Sequence, residues 1–356
     1  MIHRTGYRDG GSRLTKVYGV SDVAEVEADD TGVGTVDLGQ SAVDLEVYRG
    51  ELTGYCYRML GSPFEAEDAV QETLLRAWRA ADRFQGRSSL RTWLYRIATN
   101  VCIDALRSRP RRARPMDLGP ASPASAALPA PLPETVWLEP VPDARIITSS
   151  GDPADVAAQR DSVRLAFVAA LQHLPARQRA VLILREVLRW PAAEVAGLLE
   201  STVASVNSAL QRARATLAGL DLADTDTFRP LDEEQQALLA RYVDAFERYD
   251  LDALTALLHE EVVQSMPPYG LWLRGHADIR GWYLGAGIGC RGSRLVPTVA
   301  NGAPAFGQYR PAPAGGHEPW SLQIVEISDG MIVGLNAFLD TARLFPLFGL
   351  PPRLDA

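Results

Sequence analysis

Residues 115–133, PMDLGPASPASAALPAPLP, restrict the fold of this chain more than any other stretch. Six prolines lie among these 19 residues. Proline lacks a backbone N–H and has a fixed φ angle, so neither a regular helix nor a central strand can run through them. The composition is typical of an extended, semi-rigid linker. The folded cores must therefore lie on either side of it, and 356 residues suffice for two or three domains.

The charge is divided along the same boundaries. The whole chain has a formal net charge of -8, which argues against nucleic-acid binding. Residues 44–114 and 161–220, however, carry +4 and +3, whereas the linker region 115–160 carries -4 and residues 221–356 carry -8. Two basic segments thus stand apart from an acidic C-terminal one, which is a weak indication of phosphate contact.

Several classes of protein are excluded by simpler features. The 3 cysteines, Cys56, Cys102 and Cys290, form no CxxC pair, so we expect buried thiols and neither a disulfide framework nor a thiolate zinc site. No metal or cofactor is expected elsewhere in the chain. No apolar run approaches the roughly 18 residues of a membrane span, and the first residues lack the apolar stretch of a signal peptide. A cytoplasmic location without a membrane partner is expected. Residues 1–43 are expected to form a mobile tail.

The first basic segment predicts three helices. Apolar residues at three- and four-residue spacing predict a helix from Leu45 to Met59. Ser62, followed by proline and then by Glu65, is typical of a helix N-terminus with a capping box. The inward face of this second helix is expected to include Trp78. A third helix begins near residue 90, and five arginines crowd its end: Arg107, Arg109, Arg111, Arg112 and Arg114.

The second basic segment predicts a helix-turn-helix. Helices are expected over 163–171 and from residue 176 onward. A short helix from Pro191 to Leu199, a tight turn and a further helix from Thr202 follow. Two helices joined in this way place the second in the major groove of DNA, with its N-terminal residues at the base edges.

The residues of the first segment resemble region 2 of the group IV, or extracytoplasmic function, sigma factors. The shared patterns are AEDxxQExxLRAW and LRTWLYRIAxNxCxDxLR, over about 70 residues. The resemblance implies binding to core RNA polymerase through its beta-prime and beta subunits, with a contribution from Asp68, Gln71, Glu72 and Arg76. It implies contact with melted promoter DNA at the -10 element by Phe84, Gln85, Arg87, Ser88, Trp93, Arg96 and Asn100. The position of Trp93 also suits the core.

The second segment resembles region 4 of the same family, which reads the -35 element. LPxRQRxVLxLRE and the closing S-x-L-x-R-A-R are the shared patterns. The resemblance implies DNA contacts by Ser205, Asn207, Ser208, Gln211, Arg212 and Arg214. Glu200 stands where the family usually has glycine, so either the turn differs or Glu200 adopts a strained backbone. Asn207 and Ala209 replace positions that are commonly basic, which predicts a weaker hold on phosphate.

Residues 229–356 predict an α+β domain in which two helices precede strand-like runs that form a curved antiparallel sheet. The segment resembles the SnoaL-like cone of certain polyketide cyclases and ketosteroid isomerases, on SMPP with Trp272 and on Asn301-Gly302. In some sigma factors such a domain is fused to the chain. The resemblance there extends to Trp137–Asp143 and to LFPLFGLP, and it implies contact with the linker and region 2 and regulation in cis.

This fold often encloses a pocket. The candidate lining residues are His259, Tyr269, Trp272, Trp282, Trp320 and Asp340. Asp340 would serve as a base if it were buried, but no second acid or oxyanion donor can be placed, and a fold does not imply chemistry. Catalysis, ligand sensing and regulation by protein contacts stay open, with the last preferred.

The sequence thus predicts a multidomain chain with two all-α modules and a C-terminal α+β SnoaL-like cone. The expected domains are a tail (1–43), sigma region 2 (44–114), a linker (115–160), sigma region 4 (161–220) and a regulatory domain (229–356). The predicted function is promoter recognition and transcription initiation by a protein that is not an enzyme. The alternative is a SnoaL-like enzyme or small-molecule receptor with a DNA-binding arm.

Overall fold

The computed structural model describes residues 45–107, 109–147, 153–220, 225–226, 228–229 and 232–355. The tail expected over residues 1–43 lies outside them. The described residues form two compact units. The helical unit contains residues 45–114 and 133–220, and the C-terminal unit contains Pro115–Leu132 and residues 225–355.

The helical unit contains both basic segments. Helices and tight turns account for nearly all of its regular structure among the described residues. A single π turn, Ile183–Val187, extends the sixth helix. The helices are α1 (Arg49–Leu60), α2 (Pro63–Arg79), α3 (Leu90–Leu106), α4 (Pro153–Asp161), α5 (Leu165–Leu171), α6 (Ala176–Leu182), α7 (Ala192–Leu198) and α8 (Val203–Ala218).

The signals at the start of α2 are confirmed in part. Ser62 Oγ accepts a hydrogen bond from Glu65 N at 3.3 Å, as an N-cap should. The Glu65 carboxylate, however, binds the guanidinium of Arg112 at 2.6 Å rather than closing a capping box. The prediction for Trp78 is wrong, because its side chain is 63% exposed. The inward stripe of α2 ends at Ala77, and Trp78 lies about 100° further round the helix.

Arg179 of α6 ties the two basic segments together. Its side chain is only 4% exposed. It donates to the backbone oxygens of Met59, Gln172 and Leu174 and to Gln172 Oε1. Burial lowers the pKa of Arg179 to about 10, so the group stays charged at neutral pH. Since Met59 belongs to α1, one buried cation satisfies carbonyl groups from both segments.

Residues that follow the proline-rich stretch pack into the helical unit. Trp137 pairs with Ala113 in a parallel bridge, and Glu139 N donates to Gly61 O at 3.0 Å. Tyr57 Oη in turn donates to Glu139 O at 2.9 Å. The segment around Trp137 and Glu139, which the sequence placed in the linker, is therefore part of the helical core.

The C-terminal unit is an α+β domain built on one six-stranded sheet with strand order β2-β1-β6-β5-β4-β3. The expectation of an antiparallel sheet is wrong for one pair, because β1 and β6 run parallel. β1 and β6 are neighbours in the sheet but are far apart in sequence. The connection between them returns the chain to the end of the sheet at which β1 begins, so the two strands run in the same direction. The elements are α9 (Glu233–Arg248), α10 (Leu251–Thr255), β1 (Leu258–Ser265), β2 (Trp272–Arg274), α11 (Gly275–Leu284), β3 (Arg294–Ala300), β4 (Ala303–Pro311), β5 (His317–Ser328), β6 (Met331–Phe338) and α12 (Thr341–Leu347).

Pro115–Leu132 contains no α-helix or strand, as the composition predicts, and is extended apart from a 3-10 turn at Pro115–Asp117 and a turn closed by Ala126 N and Pro123 O. It is not a free linker, however. Ser122 N donates to Trp272 O at 2.7 Å, and Leu132 N donates to Pro268 O at 2.9 Å. Trp272 Nε1 donates to Gly119 O at 2.9 Å. The segment is therefore docked on the C-terminal unit through backbone and side-chain bonds.

The three cysteines have the environment expected from their spacing. Cys56, Cys102 and Cys290 are buried free thiols, which confirms the prediction from their spacing.

Among the described residues, no helix is both long and apolar enough to span a membrane.

Candidate functional site

The polar face of α2 carries the residues expected to bind polymerase. Asp68 and Gln71 are exposed, and Asp68 has no ion-pair partner among the described residues. Glu72 Oε1 accepts from Arg76 Nε at 2.6 Å, with both side chains nearly half exposed. Thr73 and Ala77 on the opposite face are buried. The polar face of α2 is thus accessible to a binding partner and has a net negative charge.

The loop before α3 and the helix itself carry the residues expected near melted DNA. Gln85, Arg87 and Ser88 are exposed in the loop. Trp93 is 9% exposed and lies with its ring centroid 4.9 Å from that of Phe84. Trp93 thus serves the core in this structure, and Phe84 is the ring nearer to solvent. Asn100, further along α3, is exposed.

One face of α3 packs against α7 and the residues before it. Thr92 Oγ1 donates to Glu194 Oε1 at 2.6 Å, and the ring centroids of Tyr95 and Trp190 lie 4.8 Å apart. The Arg91 guanidinium lies 5.1 Å from the Trp190 centroid. No local pattern in the sequence predicts this contact, because its partners lie about 100 residues apart.

The contact reaches one residue with an expected DNA role. Arg96 Nη1 lies 3.9 Å from Glu200 Oε1. Glu200 has a φ of +48°, so the strained backbone expected in the turn is confirmed. This conformation places its carboxylate beside α3.

The helix-turn-helix consists of α7 and α8. Thr202 caps α8 by accepting a hydrogen bond from Ser205 N at 3.1 Å. Val206 and Ala209 face inward, and Arg214 forms an ion pair with Glu186 at 2.5 Å. All of the predicted DNA-contacting side chains of α8 are exposed, namely Ser205, Asn207, Ser208, Gln211, Arg212 and Arg214.

The C-terminal unit encloses a small cavity. Its volume is about 20 Å³, with the following lining residues: Leu128, Gln264, Met266, Trp282, Tyr283, Cys290, Gln308, Trp320, Gln323, Ala337 and Leu339. Two of the predicted lining residues, Trp282 and Trp320, are confirmed. Amide and aromatic side chains make up most of the polar wall of the cavity.

Four predicted lining residues lie elsewhere. Asp340 is about one-third exposed and forms an ion pair with Arg343 at 3.5 Å, so the condition for its acting as a buried base is not met. Trp272 binds Gly119 of the docked segment. His259 accepts a hydrogen bond from the backbone N–H of Glu261 near the start of β1. Tyr269 packs against the core without lining the cavity.

Comparison with known proteins decides the family. Residues 45–112 match the model for Sigma-70 region 2, residues 164–217 that for Sigma-70 region 4, and residues 239–335 that for the SnoaL-like domain. The chain is 46% identical over 326 residues to the ECF RNA polymerase sigma factor SigG of Mycobacterium tuberculosis, covering 89% of this chain and 85% of SigG. The chain belongs to the extracytoplasmic function sigma factors of RNA polymerase.

Other relatives agree with this assignment. The sigma factor is 29% identical over 221 residues to SigJ of Mycobacterium tuberculosis, which covers 62% of each protein. The crystal structure of SigJ matches the fold with a TM-score of 0.57 at 22% identity, covering 87% of this chain and all of the SigJ chain. The sigma factor is therefore a promoter-recognition subunit with helical region 2 and region 4 modules and a C-terminal SnoaL-like domain.

Proposed function

We propose that the sigma factor binds core polymerase through the exposed face of α2 and promoter DNA through two further surfaces. The loop before α3, with Phe84 and Arg87, and the exposed part of α3 would hold the melted -10 strand. The N-terminal half of α8 would read the -35 element. The observation that carries this proposal is the polar, solvent-facing row on α8, presented by a capped helix-turn-helix in the geometry that places such a helix in the major groove.

Substitutions on α8 should distinguish phosphate contacts, which position the protein on DNA, from base contacts, which read the sequence. We expect Arg212→Ala to weaken promoter binding about fivefold on every sequence and to lower the slope of log affinity against log salt by about 0.9, because one phosphate contact is lost. Asn207→Ala should instead change the preferred -35 sequence with little change in slope. Anisotropy titrations of the holoenzyme with matched and scrambled promoters measure both. Equal slopes in Arg212→Ala and the native protein would contradict the assignment.

The contact between α3 and α7 must open when both promoter elements are bound. Elements centred near -10 and -35 are about 25 base pairs apart, or roughly 85 Å along B-DNA at 3.4 Å per pair. Thr92 and Glu194, however, are joined by a hydrogen bond of 2.6 Å. The free sigma factor would therefore be in a closed state, and polymerase would favour the open one by binding it more tightly.

Removing the Glu194 carboxylate should favour the open state. A hydrogen bond to a charged group contributes about 1.5–3 kcal/mol when well formed, and this one is partly exposed, so we expect Glu194→Ala to raise promoter affinity about threefold. Asp155→Ala is the charge-matched control, since Asp155 is exposed and its ion pair with Arg189, at 3.8 Å between exposed side chains, does not involve α3. Promoter binding by holoenzyme assembled at limiting polymerase measures the effect, and equal affinities of the two variants would argue against the closed state.

We further propose that the C-terminal domain restrains transcription in cis by holding Pro115–Leu132. This segment lies in the connection between regions 2 and 4, so docking it shortens the chain available to span the two promoter elements. A Cβ added at Gly281 would lie 2.8 Å from Ala124 Cβ. Gly281→Ala should thus loosen the docked segment from the domain surface without disturbing α11, where alanine favours the helix.

The expected result is a rise of several fold in run-off transcription by Gly281→Ala at fixed core polymerase. Gly270→Ala is the matched control in the same domain, because a Cβ there meets nothing within 4 Å. Unchanged transcription by Gly281→Ala, with accelerated amide exchange at Ser122 showing that the segment has loosened, would overturn the restraint.

The SnoaL-like domain is proposed to regulate rather than catalyse. In support, Asp340 is ion-paired outside the cavity. The alternative, an enzyme or receptor with a DNA-binding arm, does not require polymerase. Co-purification with core polymerase at stoichiometric yield is expected here, and its absence would favour that alternative.

A further inference from the structure

The docked segment Pro115–Leu132 carries a row of side chains against the C-terminal domain. From residue 121 to 128 burial alternates, with Ser122, Ala124, Ala126 and Leu128 half-buried and the residues between them exposed. A period of two is the pattern of an extended chain laid along a surface, although one turn, in which Ala126 N donates to Pro123 O at 2.9 Å, interrupts the extended backbone here. Ala126 and Leu128 pack against the domain core. The segment thus lies on the domain as a bound peptide would.

Leu128 forms part of the wall of the cavity inside the cone. With this side chain in place the cavity measures about 20 Å³, which is room for a single water molecule. Met266, Leu339 and the rings of Trp282, Tyr283 and Trp320 form the larger apolar walls beside it. Withdrawing Leu128 joins the space it fills to the cavity and opens it at the domain surface.

Two polar atoms near this cavity are buried without a hydrogen-bond partner. They are Gln264 Oε1 and Trp282 Nε1, and both residues line the cavity. Gln264 is 3% and Trp282 4% exposed. The Gln264 amide bonds the Tyr283 hydroxyl through its other polar atom. Unsatisfied buried polar groups cost free energy, so this pair favours a molecule in the cavity that accepts one hydrogen bond and donates another.

The remaining polar groups of the wall satisfy each other. Tyr242 Oη donates to Gln323 Oε1 at 2.7 Å, and Gln323 Nε2 donates to Gln308 Oε1 at 2.9 Å. Gln308 Nε2 donates to Ser293 Oγ at 3.0 Å. One acceptor on Gln264 and one donor on Trp282 are therefore the free polar groups of this wall among the described residues.

The wall favours an uncharged molecule. No Asp, Glu, His, Lys or Arg lines the cavity among the described residues. Burial raises the pKa of Tyr283 well above its ordinary value, so that hydroxyl stays neutral. Arg310 lies outside the lining, donates to Cys290 Sγ at 3.1 Å and stacks on Trp320. An ion in this cavity would lose its hydration without a carboxylate or a lining cation to replace it.

We propose that the cone holds a site for a neutral, flat aromatic molecule with a hydroxyl group, and that Leu128 occupies its entrance as a competing internal ligand. The hydroxyl would donate to Gln264 Oε1 and accept from Trp282 Nε1, while the ring packs against Met266 and Trp320. Binding then displaces Leu128 and loosens the docked segment. The site deepens the proposed regulation in cis, since its ligand would release the restrained linker.

The test uses the full-length sigma factor without polymerase and 2-naphthol as the probe. Fluorescence titration should show saturable binding that Leu128→Ala tightens about tenfold, because the competing side chain is removed. Leu118→Ala is the control, since Leu118 lies on the same segment, is 49% exposed and does not line the cavity. Gln264→Met should weaken binding about tenfold. Naphthalene-2-sulfonate, the anionic analogue, should bind far more weakly.

Amide hydrogen exchange reports the displacement. Saturating 2-naphthol should accelerate exchange at Ser122 and Leu132, whose N–H groups bind Trp272 O and Pro268 O. Binding that Leu128→Ala leaves unchanged, or exchange that naphthol leaves unchanged, would overturn the competition. Tighter binding of the sulfonate would overturn the neutral ligand class, and no binding to either protein would mean that the cavity holds water. Neither ligand binding nor amide exchange depends on transcription. A negative result in these two measurements is therefore distinct from a negative result in the transcription test of regulation in cis.

Discussion

Replacing Asp68 with Arg is expected to weaken binding of the sigma factor to core polymerase by about 100-fold. Asp68 is exposed on the α2 face and has no ion-pair partner among the described residues, so its charge is available to a partner. A polymerase surface that binds this face must be complementary to its net negative charge. Placing a positive charge at the centre of the interface therefore costs several kcal/mol of binding free energy. A loss of 100-fold corresponds to about 2.7 kcal/mol.

Asp82→Arg provides the control for this prediction. Asp82 is likewise exposed but lies in the turn after α2, so the two variants have the same net charge. Binding to core polymerase is measured without DNA, by fluorescence anisotropy at several salt concentrations. Asp68→Arg should retain the native circular dichroism. Equal affinities of both variants would show that polymerase binds elsewhere, even though the chain is a sigma factor.

Replacing Arg179 with Met is expected to destabilise the helical unit by about 3 kcal/mol or more. The guanidinium satisfies three backbone carbonyl groups and the Gln172 amide in a site that is 4% exposed. Methionine fills the volume but leaves these acceptors unpaired, and each buried unsatisfied group costs about 1–3 kcal/mol. Relief from burying the charge offsets a part of that loss.

Native-state amide hydrogen exchange measures this effect in the full chain, because the two units need not unfold together. Protection should fall in peptides from α1 and α6 and stay unchanged in those from β4 and β5. Arg177→Met is the control. Arg177 is exposed and donates one hydrogen bond, to Leu199 O at 2.6 Å, so its loss should cost less than about 1 kcal/mol. Equal protection in both variants would show that Arg179 does not stabilise the unit.

Local signals predicted most of the elements and several candidate surfaces. Ser62 and Thr202 cap the helices that they were expected to cap, because capping depends on neighbours within three residues. The exposed rows on α2 and α8 followed from helical periodicity for the same reason. Trp78 was misplaced because periodicity alone cannot tell the last inward position of a stripe from the residue beside it.

Contacts between distant residues could not be predicted in this way. The hydrogen bond between Thr92 and Glu194, the buried Arg179 and the parallel pairing of β1 with β6 each join residues many positions apart. Asp340 was placed in the cavity on fold analogy, whereas its actual partner is Arg343. A sequence shows which side chains are available, but the path of the chain decides which of them meet.

The proline-rich segment shows this division most clearly. Its composition determined that residues 115–133 form neither a regular helix nor a central strand, because proline excludes regular hydrogen-bonded structure. The expectation that separate folded cores lie on either side of it is wrong, because residues 45–114 and 133–220 belong to one helical unit. Where the segment lies was decided by the tertiary structure alone. The segment donates hydrogen bonds to the backbone oxygens of Trp272 and Pro268, and Leu128 packs into the cavity of the C-terminal unit. A chain with unpaired N–H groups and small side chains can bind any surface that offers such acceptors and such a cavity.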